Sequence, residues 1–270
     1  MKREKLRFIL LITSVVLATF SAVGIYFFCL SFNEIRNMND RALKDRLTTV
    51  ADDLDRQYTE LNIIAVSLQS NRIYNRAHVL ENAYNEIELL SDLVRYKTVS
   101  QITEDYFFMY HDNGDVFKST GAKNKYNIFL LYYGIKDETL FDELTSIKAF
   151  KLIPVNTTYG KKILMAFPVF TAWSNDLSAR ATIAFFISDS SVAKRMKALT
   201  GGCSGKLYIY LNGAPFASLD GDEFPTDISL DSETVTRLGK MTRYTISNGR
   251  FTVVCDAMPN DMITDLQKFS

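Results

Sequence analysis

The side chains in this sequence best suited to chemistry are aromatic, and the chemistry they suit is recognition. Tyr106, Phe108 and Tyr110 alternate along an extended run, so they share one face of a strand while Phe107 and Met109 share the other. Tyr132, Tyr133, Phe167 and Trp173 follow in the next stretches. Small-molecule pockets are mostly apolar and aromatic with a few placed polar groups. These seven residues are therefore the candidate ligand-binding set. They also fit an ordinary sheet core, where large apolar side chains are usually found. Trp173 is the only tryptophan and stands in a polar loop, Thr171-Ala172-Trp173-Ser174-Asn175-Asp176.

The residue types that catalysis needs are not grouped. The two histidines, His78 and His111, have no nucleophile motif beside them, and Gly-x-Ser-x-Gly is absent. Gly201-Gly202 with Gly205 is too short for a phosphate loop and reads as a helix stop and turn. Acidic residues are scattered, so no carboxylate pair can be argued from spacing. No His, Cys and carboxylate cluster has metal-ligand spacing. The expectation is a non-enzyme without cofactor or metal. Asn156-Thr157-Thr158 matches a glycosylation sequon, which would be silent in a bacterial protein.

The elements that must position the aromatic set read as strands and short helices. Asp105 to Tyr110 and Val116 to Ser119 flank Asp112-Asn113-Gly114, a hairpin signal because Asn and Gly tolerate positive φ. Asn127 to Tyr133 is an apolar and aromatic patch, Lys136 to Phe150 a short helix, and Lys151 to Val155 a strand. Lys162 to Phe170 and Ala179 to Ser188 form a further antiparallel pair. After a helix over Asp189 to Leu199, the order returns in smaller form. Lys206 to Leu211, Asn212-Gly213 and Pro215 to Ser218 make a second hairpin. A polar stretch from Asp220 to Ser232 leads to Thr242–Ile246, Asn248-Gly249 and Phe251–Cys255, and Asn260 to Phe269 reads as the start of another helix. The class is α+β with antiparallel sheets.

Upstream lies the segment that fixes the compartment. Phe8 to Phe32 holds no charged residue. At about 1.5 Å per helical residue it spans roughly 37 Å, enough for the ~30 Å hydrocarbon core of a bilayer. Lys2, Arg3, Lys5 and Arg7 precede it, and a basic flank stays on the cytoplasmic side. The apolar run is longer than that of a cleaved signal peptide, and a buried helix would keep one polar face. Residues 33–270 are thus expected outside the cytoplasm. From Asn33 to about Ser70 there is neither Pro nor Gly, and Leu47, Val50, Leu54, Tyr58, Leu61, Ala65 and Leu68 make one apolar stripe on a stalk helix. The stripe calls for a second protomer or for the domain that follows. A second helix is expected from Asn75 to Val99.

Charge and cysteines narrow the class further. The 31 basic and 31 acidic residues balance; the first seven residues take four basic and one acidic, leaving 27 and 30. A mildly acidic body argues against nucleic-acid binding. Of the three cysteines, Cys29 lies in the anchor, while Cys203 and Cys255 would face an oxidising side and are candidates for a disulfide or for two buried thiols.

The order of anchor and stalk, Tyr106 to Ser119, Lys162 to Ser188, the helix Asp189 to Leu199 and Lys206 to Ser218 resembles the double Cache sensor region of bacterial membrane receptors, whose modules are PAS-like. The resemblance covers nearly the whole chain through architecture, not through a single motif. It implies a cytoplasmic stub (1–7), a transmembrane helix (8–32), a stalk and helical segment (33–100), a membrane-distal Cache module (101–188), a connecting helix (189–203), a membrane-proximal module (204–258) and the start of an exit helix (259–270). It also implies an extracytoplasmic ligand-sensing domain of a receptor, with an AraC-type or histidine-kinase output beyond Ser270 or lost. The expected partners are a small-molecule ligand, the lipid bilayer and a second copy through the stalk. An interaction module for a protein or the cell wall is the other reading. Family members that bind amino acids carry Arg-x-Trp-Tyr, which this sequence lacks, so an amino-acid ligand is not supported.

Overall fold

The structure is a computed structural model, and it describes residues 2–96, 100, 102–170, 180–200, 205–219, 223–226, 228, 230 and 233–258. The chain divides into two units, 1–46 and 47–270. The first belongs to helix α1, which runs from Lys2 to Ser70 without interruption. Anchor and stalk are therefore one helix, as expected where no Pro interrupts a run of good helix formers. Val15, Leu17, Phe20, Phe27 and Phe28 are all exposed. Among the described residues α1 is the one helix long and apolar enough to cross a membrane.

In the second unit the stalk stripe finds its partner within the chain. Leu47, Val50, Leu54, Leu61, Ala65 and Leu68 are buried. The segment after α1 departs from the single helix expected over Asn75–Val99. It is a 3-10 turn (Arg72–Tyr74), α2 (Arg76–Glu81) and α3 (Ala83–Arg95). Three asparagines cause the breaks. Asn71, Asn75 and Asn82 each accept a backbone N–H with the side chain, from Ile73, Ala77 and Asn85. Such a cap offers the backbone an alternative to continuing the previous helix.

The first sheet contains β1 (Thr103–Tyr110), β2 (Asp115–Lys118), β3 (Lys123–Lys125), β4 (Lys151–Thr157), β5 (Gly160–Val169) and β6 (Ala181–Ser188), in the order β3-β2-β1-β6-β5-β4. Its strand pairs are antiparallel. Between β3 and β4 lie α4 (Tyr126–Tyr133) and α5 (Leu140–Ser146). The patch over Asn127–Tyr133 is thus helical, and the helix expected over Lys136–Phe150 is shorter at both ends. Asp137 turns the chain ahead of α5 by accepting from Thr139 N–H at 2.9 Å.

The second sheet follows α6 (Asp189–Thr200) and contains β7 (Lys206–Leu211), β8 (Ala214–Ser218), β9 (Thr234–Leu238), β10 (Met241–Ser247) and β11 (Phe251–Ala257), in the order β8-β7-β11-β10-β9. The turn between β7 and β8 places Asn212 at φ 50° and Gly213 at φ 80°, the left-handed pair that an Asn-Gly hairpin uses. With β3 set aside as an added edge, both sheets have the same order: second, first, fifth, fourth, third. The weak sequence repeat is a repeat of topology.

Two short edge strands, β3 and β9, are absent from the sequence-based expectation. β3 has no apolar residue, and β9 is mostly exposed, so neither shows a buried face in its pattern. The polar stretch over Asp220–Ser232 is more than a spacer: Phe224, Ile228 and Leu230 pack on Tyr208, Tyr210 and Val254. Cys255 is buried. Cys203, Trp173 and the helix expected over Asn260–Phe269 lie outside the described residues.

Candidate functional site

The central strands of the first sheet divide the aromatic set between two faces. On one face Tyr106, Phe108 and Tyr110 meet the helices: Tyr106 donates its hydroxyl to Leu93 O, Tyr110 donates to Tyr74 O at 3.0 Å, and Tyr74 packs on Phe108 with ring centroids 5.1 Å apart. Phe167 lies on this face too, against Phe185 and Tyr58. Burial pushes the Tyr106 and Tyr110 hydroxyls well above the ordinary phenol range, so both remain neutral donors. These four rings form a core between sheet and helices.

The opposite face is covered by α4 and α5. Phe107, Met109, Val116, Leu164, Ala184 and Phe186 pack there against Phe129, Leu140 and Leu144. Side chains fill this part of the face. Its edge toward β2 is different, because it carries polar groups.

Lys118 is the first of them. It pairs with Phe107 across β1 and β2, so its side chain leaves the sheet on the α4 side. The residue is 5% exposed, and its ammonium sits 3.8 Å from the centroid of the Tyr132 ring. Among the described residues no carboxylate pairs with it. A cation–π contact offsets only part of what an ammonium loses on leaving water.

Asp105 is the second. Its Oδ1 accepts from Tyr106 N–H at 2.9 Å and from the Ser119 hydroxyl, and its Oδ2 accepts from the Tyr133 hydroxyl. Both oxygens are engaged by the protein itself. Tyr132 and Tyr133 stand beside each other with centroids 4.9 Å apart. Tyr133 is buried, while Tyr132 is 57% exposed.

Helix α4 aims these tyrosines and is pinned at both ends. Tyr126 N–H donates to Gly114 O at 2.9 Å, and Thr158 N–H donates to Tyr133 O at 3.0 Å. The helix stops at Gly134, where φ is 64°, and a Cβ there would come within 1.7 Å of Thr158 Oγ1. Only glycine fits such a stop.

Of the seven aromatic candidates, Tyr132 and Tyr133 come together with Lys118, Asp105 and Ser119. Tyr106, Phe108, Tyr110 and Phe167 lie on the other face. Trp173 is outside the described residues. Sequence reasoning missed Lys118, Asp105 and Ser119. The signal was alternation in β2, which puts Lys118 on the same face as buried Val116. Neither histidine joins this group: His111 Nε2 lies 2.9 Å from Thr182 Oγ1, and His78 contacts Asn85 and Glu81. Among the described residues no three His, Cys, Asp or Glu side chains could hold a metal.

Comparison with known proteins gives the architecture a place. No family model matches the chain, and no curated protein matches it in sequence. Solved structures do match. A domain of the sensory box/GGDEF family from Vibrio parahaemolyticus aligns with TM-score 0.55 at 10% identity, covering 85% of this chain and 99% of that one. The ligand-binding domain of a Campylobacter jejuni chemoreceptor, in complex with 4-methylisoleucine, aligns with TM-score 0.52 at 11% identity over 84% of this chain and 94% of that one. The ligand-binding domain of a Pseudomonas aeruginosa amino-acid chemoreceptor, in complex with GABA, aligns with TM-score 0.50 at 8% identity over 83% and 99%.

The fold is the double Cache fold. The module on the six-stranded sheet is the one expected from the sequence to be distal, and that on the five-stranded sheet the one expected to be proximal; the two words serve below as their names. The site around Lys118 belongs to the distal module.

Proposed function

We propose that this chain is the extracytoplasmic ligand-sensing part of a bacterial membrane receptor. Residues 8–32 of α1 cross the bilayer, residues 1–7 stay in the cytoplasm, and the distal module binds a small molecule. The observation that carries this reading is the double Cache fold on a helix that continues from the apolar segment. Solved domains of the same fold hold small molecules. Ligand binding would shift the distal module between two states, and α1 would carry the shift toward the membrane before an AraC-type or histidine-kinase output.

Thermal unfolding of the full chain in nanodiscs, against a metabolite and oligosaccharide library, tests the reading. At least one compound raises the unfolding temperature; stabilisation by none of them sinks it. Orientation has its own test. A reporter fused at the amino end is protected in intact cells while the modules are cut by added protease. The reverse pattern overturns the topology.

A second copy would have to meet residues other than the stripe already buried within the chain. Ile63 and Val66, both exposed on α1, are the side chains we assign to that contact. Sedimentation of I63E beside the unaltered chain checks it. For the cysteines, a Cβ at Gly205 would meet Cys255 Sγ at 3.0 Å, and Cys203 is two residues earlier in the chain. That proximity supports a Cys203–Cys255 bridge, which mass analysis after alkylation without reductant reads directly.

The interaction-module reading keeps one observation in its favour. Tyr84 and Ile87 are exposed side by side on α3 beside Ile73, and clustered exposed apolar side chains mark partner surfaces. Failure of the ligand screen, with recovery of a bound protein lost in Y84E, would favour it.

A further inference from the structure

We infer that the ligand of the distal site carries a negative charge which pairs with Lys118, and that it is not an α-amino acid. This inference rests on the sensing reading above and adds the class of ligand. Three observations carry it.

Lys118, 5% exposed over the whole residue, lies under α4 with an aromatic ring over its ammonium and, among the described residues, no carboxylate in ion-pair contact. A lysine so largely covered and left without an anion is costly, and natural chains rarely keep one unless it has work to do. A carboxylate or phosphate at this position would supply the missing partner. Charge-assisted contacts of that kind are the strong ones.

The second observation concerns Asp105. An α-amino acid brings an ammonium as well as a carboxylate, and the ammonium needs an acceptor. Among the described residues Asp105 is the carboxylate bound to Tyr133 and Ser119 here, and both of its oxygens already receive protein donors. A ligand ammonium would have to displace the Tyr133 or Ser119 hydroxyl. It would also stand near Lys118, a like charge. A simple anion meets neither obstacle.

The third is the position of Tyr132. Its ring lies over the ammonium while more than half of the residue faces solvent. Rotation of this one side chain would uncover Lys118 and break its edge contact with the Tyr133 ring, while buried Phe129 still holds α4 to the sheet. An aryl or unsaturated acid can keep a stacking contact with the displaced ring.

The test uses the full chain in nanodiscs and thermal unfolding at matched ionic strength. The probes are mono- and dicarboxylates, aryl carboxylates and sugar phosphates, the neutral amides and alcohols of the same skeletons, and the common α-amino acids. The expected result is a rise of several degrees with at least one anion and none with its neutral counterpart or with amino acids. In K118M the unliganded protein is as stable as the parent or more so, and the anion shift disappears; in K118R it survives in part. Retention of the anion shift in K118M overturns the inference. So does stabilisation by neutral compounds or amino acids alone, and that result leaves the sensing reading standing. Loss of folding in both K118M and K118R makes Lys118 a structural residue and overturns the inference as well. Stabilisation by no probe class removes this inference and the sensing reading together.

Discussion

The two sheets have the same strand order and are built to different specifications. The distal sheet is covered on both faces, by α3 and the turn before α2 on one side and by α4 and α5 on the other. On the proximal sheet the cover seen among the described residues is Phe224, Ile228 and Leu230 over Tyr208, Tyr210 and Val254. This sheet is also tied closely to the stalk. Arg195 of α6 pairs with Asp53 through two hydrogen bonds of 2.8 and 2.7 Å, Arg250 pairs with Asp55 at 2.6 Å, and Asn248 donates to Ala51 O at 2.9 Å. Tyr58 stands between the modules, packed on Phe150 and Phe167 of one and Phe251 of the other, with the Arg250 guanidinium 4.4 Å from its ring centroid. One topology is thus built with two helical layers in the first case and bound to the stalk by ion pairs in the second. Among the described residues, the first differs by α4 and α5 between β3 and β4.

The contrast can be broken first at its cores. Phe129, on the sheet-facing side of α4, is fully buried, so F129A should cost about 3–5 kcal/mol. Phe224, only partly buried, should cost about 1–2 kcal/mol on truncation to alanine. Chemical denaturation of both variants checks this. Equal losses would mean that the proximal cover matters as much as the distal one.

The next effect concerns α4 alone. G134A places a Cβ against Thr158 at positive φ and should cost about 1–3 kcal/mol. Hydrogen exchange should show the loss in α4 and the β4–β5 hairpin, with the proximal strands protected as before. Uniform loss of protection would show that the modules unfold as one.

At the mount, a double-mutant cycle of D53N and R195M should return a coupling near 1 kcal/mol. A coupling of zero would make the ion pair incidental. The pH dependence sharpens the same point. The Arg195 guanidinium, with Arg56 beside it, holds the Asp53 carboxyl below its ordinary value of 3.8. For Asp115 in the distal module burial acts in the opposite direction, yet hydrogen bonds from Lys125 and Asn113 hold that carboxyl down as well. A depressed carboxyl stabilises the fold at pH values above its unfolded pKa, and that stability is lost as the pH falls through the folded pKa. Both contributions therefore persist at pH 5 and fade below about 3.8. D53N should flatten the acid limb of the unfolding curve by a few tenths of a kcal/mol per pH unit. An unchanged acid limb would place the acid sensitivity elsewhere.

Local sequence determined the elements and their kind. An uncharged run near the amino end, a stalk without Pro or Gly, and hairpins around Asn-Gly are each decided by a few adjacent residues, and the structure has them where the pattern put them. The helices after Ser70 went wrong because asparagine caps act on single hydrogen bonds that a periodicity count averages away. Edge strands β3 and β9 went unseen for a related reason, since an edge buries too little to leave an apolar pattern.

The site was legible only in part. Tyr132 and Tyr133 were visible as aromatics, but four of their companions belong to the helix-facing core, because alternation says which residues share a face and not which face meets which layer. That choice falls to tertiary packing: α1 to α3 take one side of the sheet and α4 the other. It is also what turns Lys118 from one more lysine in a strand into a covered cation with no carboxylate paired to it among the described residues. Sequence could supply the charge; only the fold could remove the water around it.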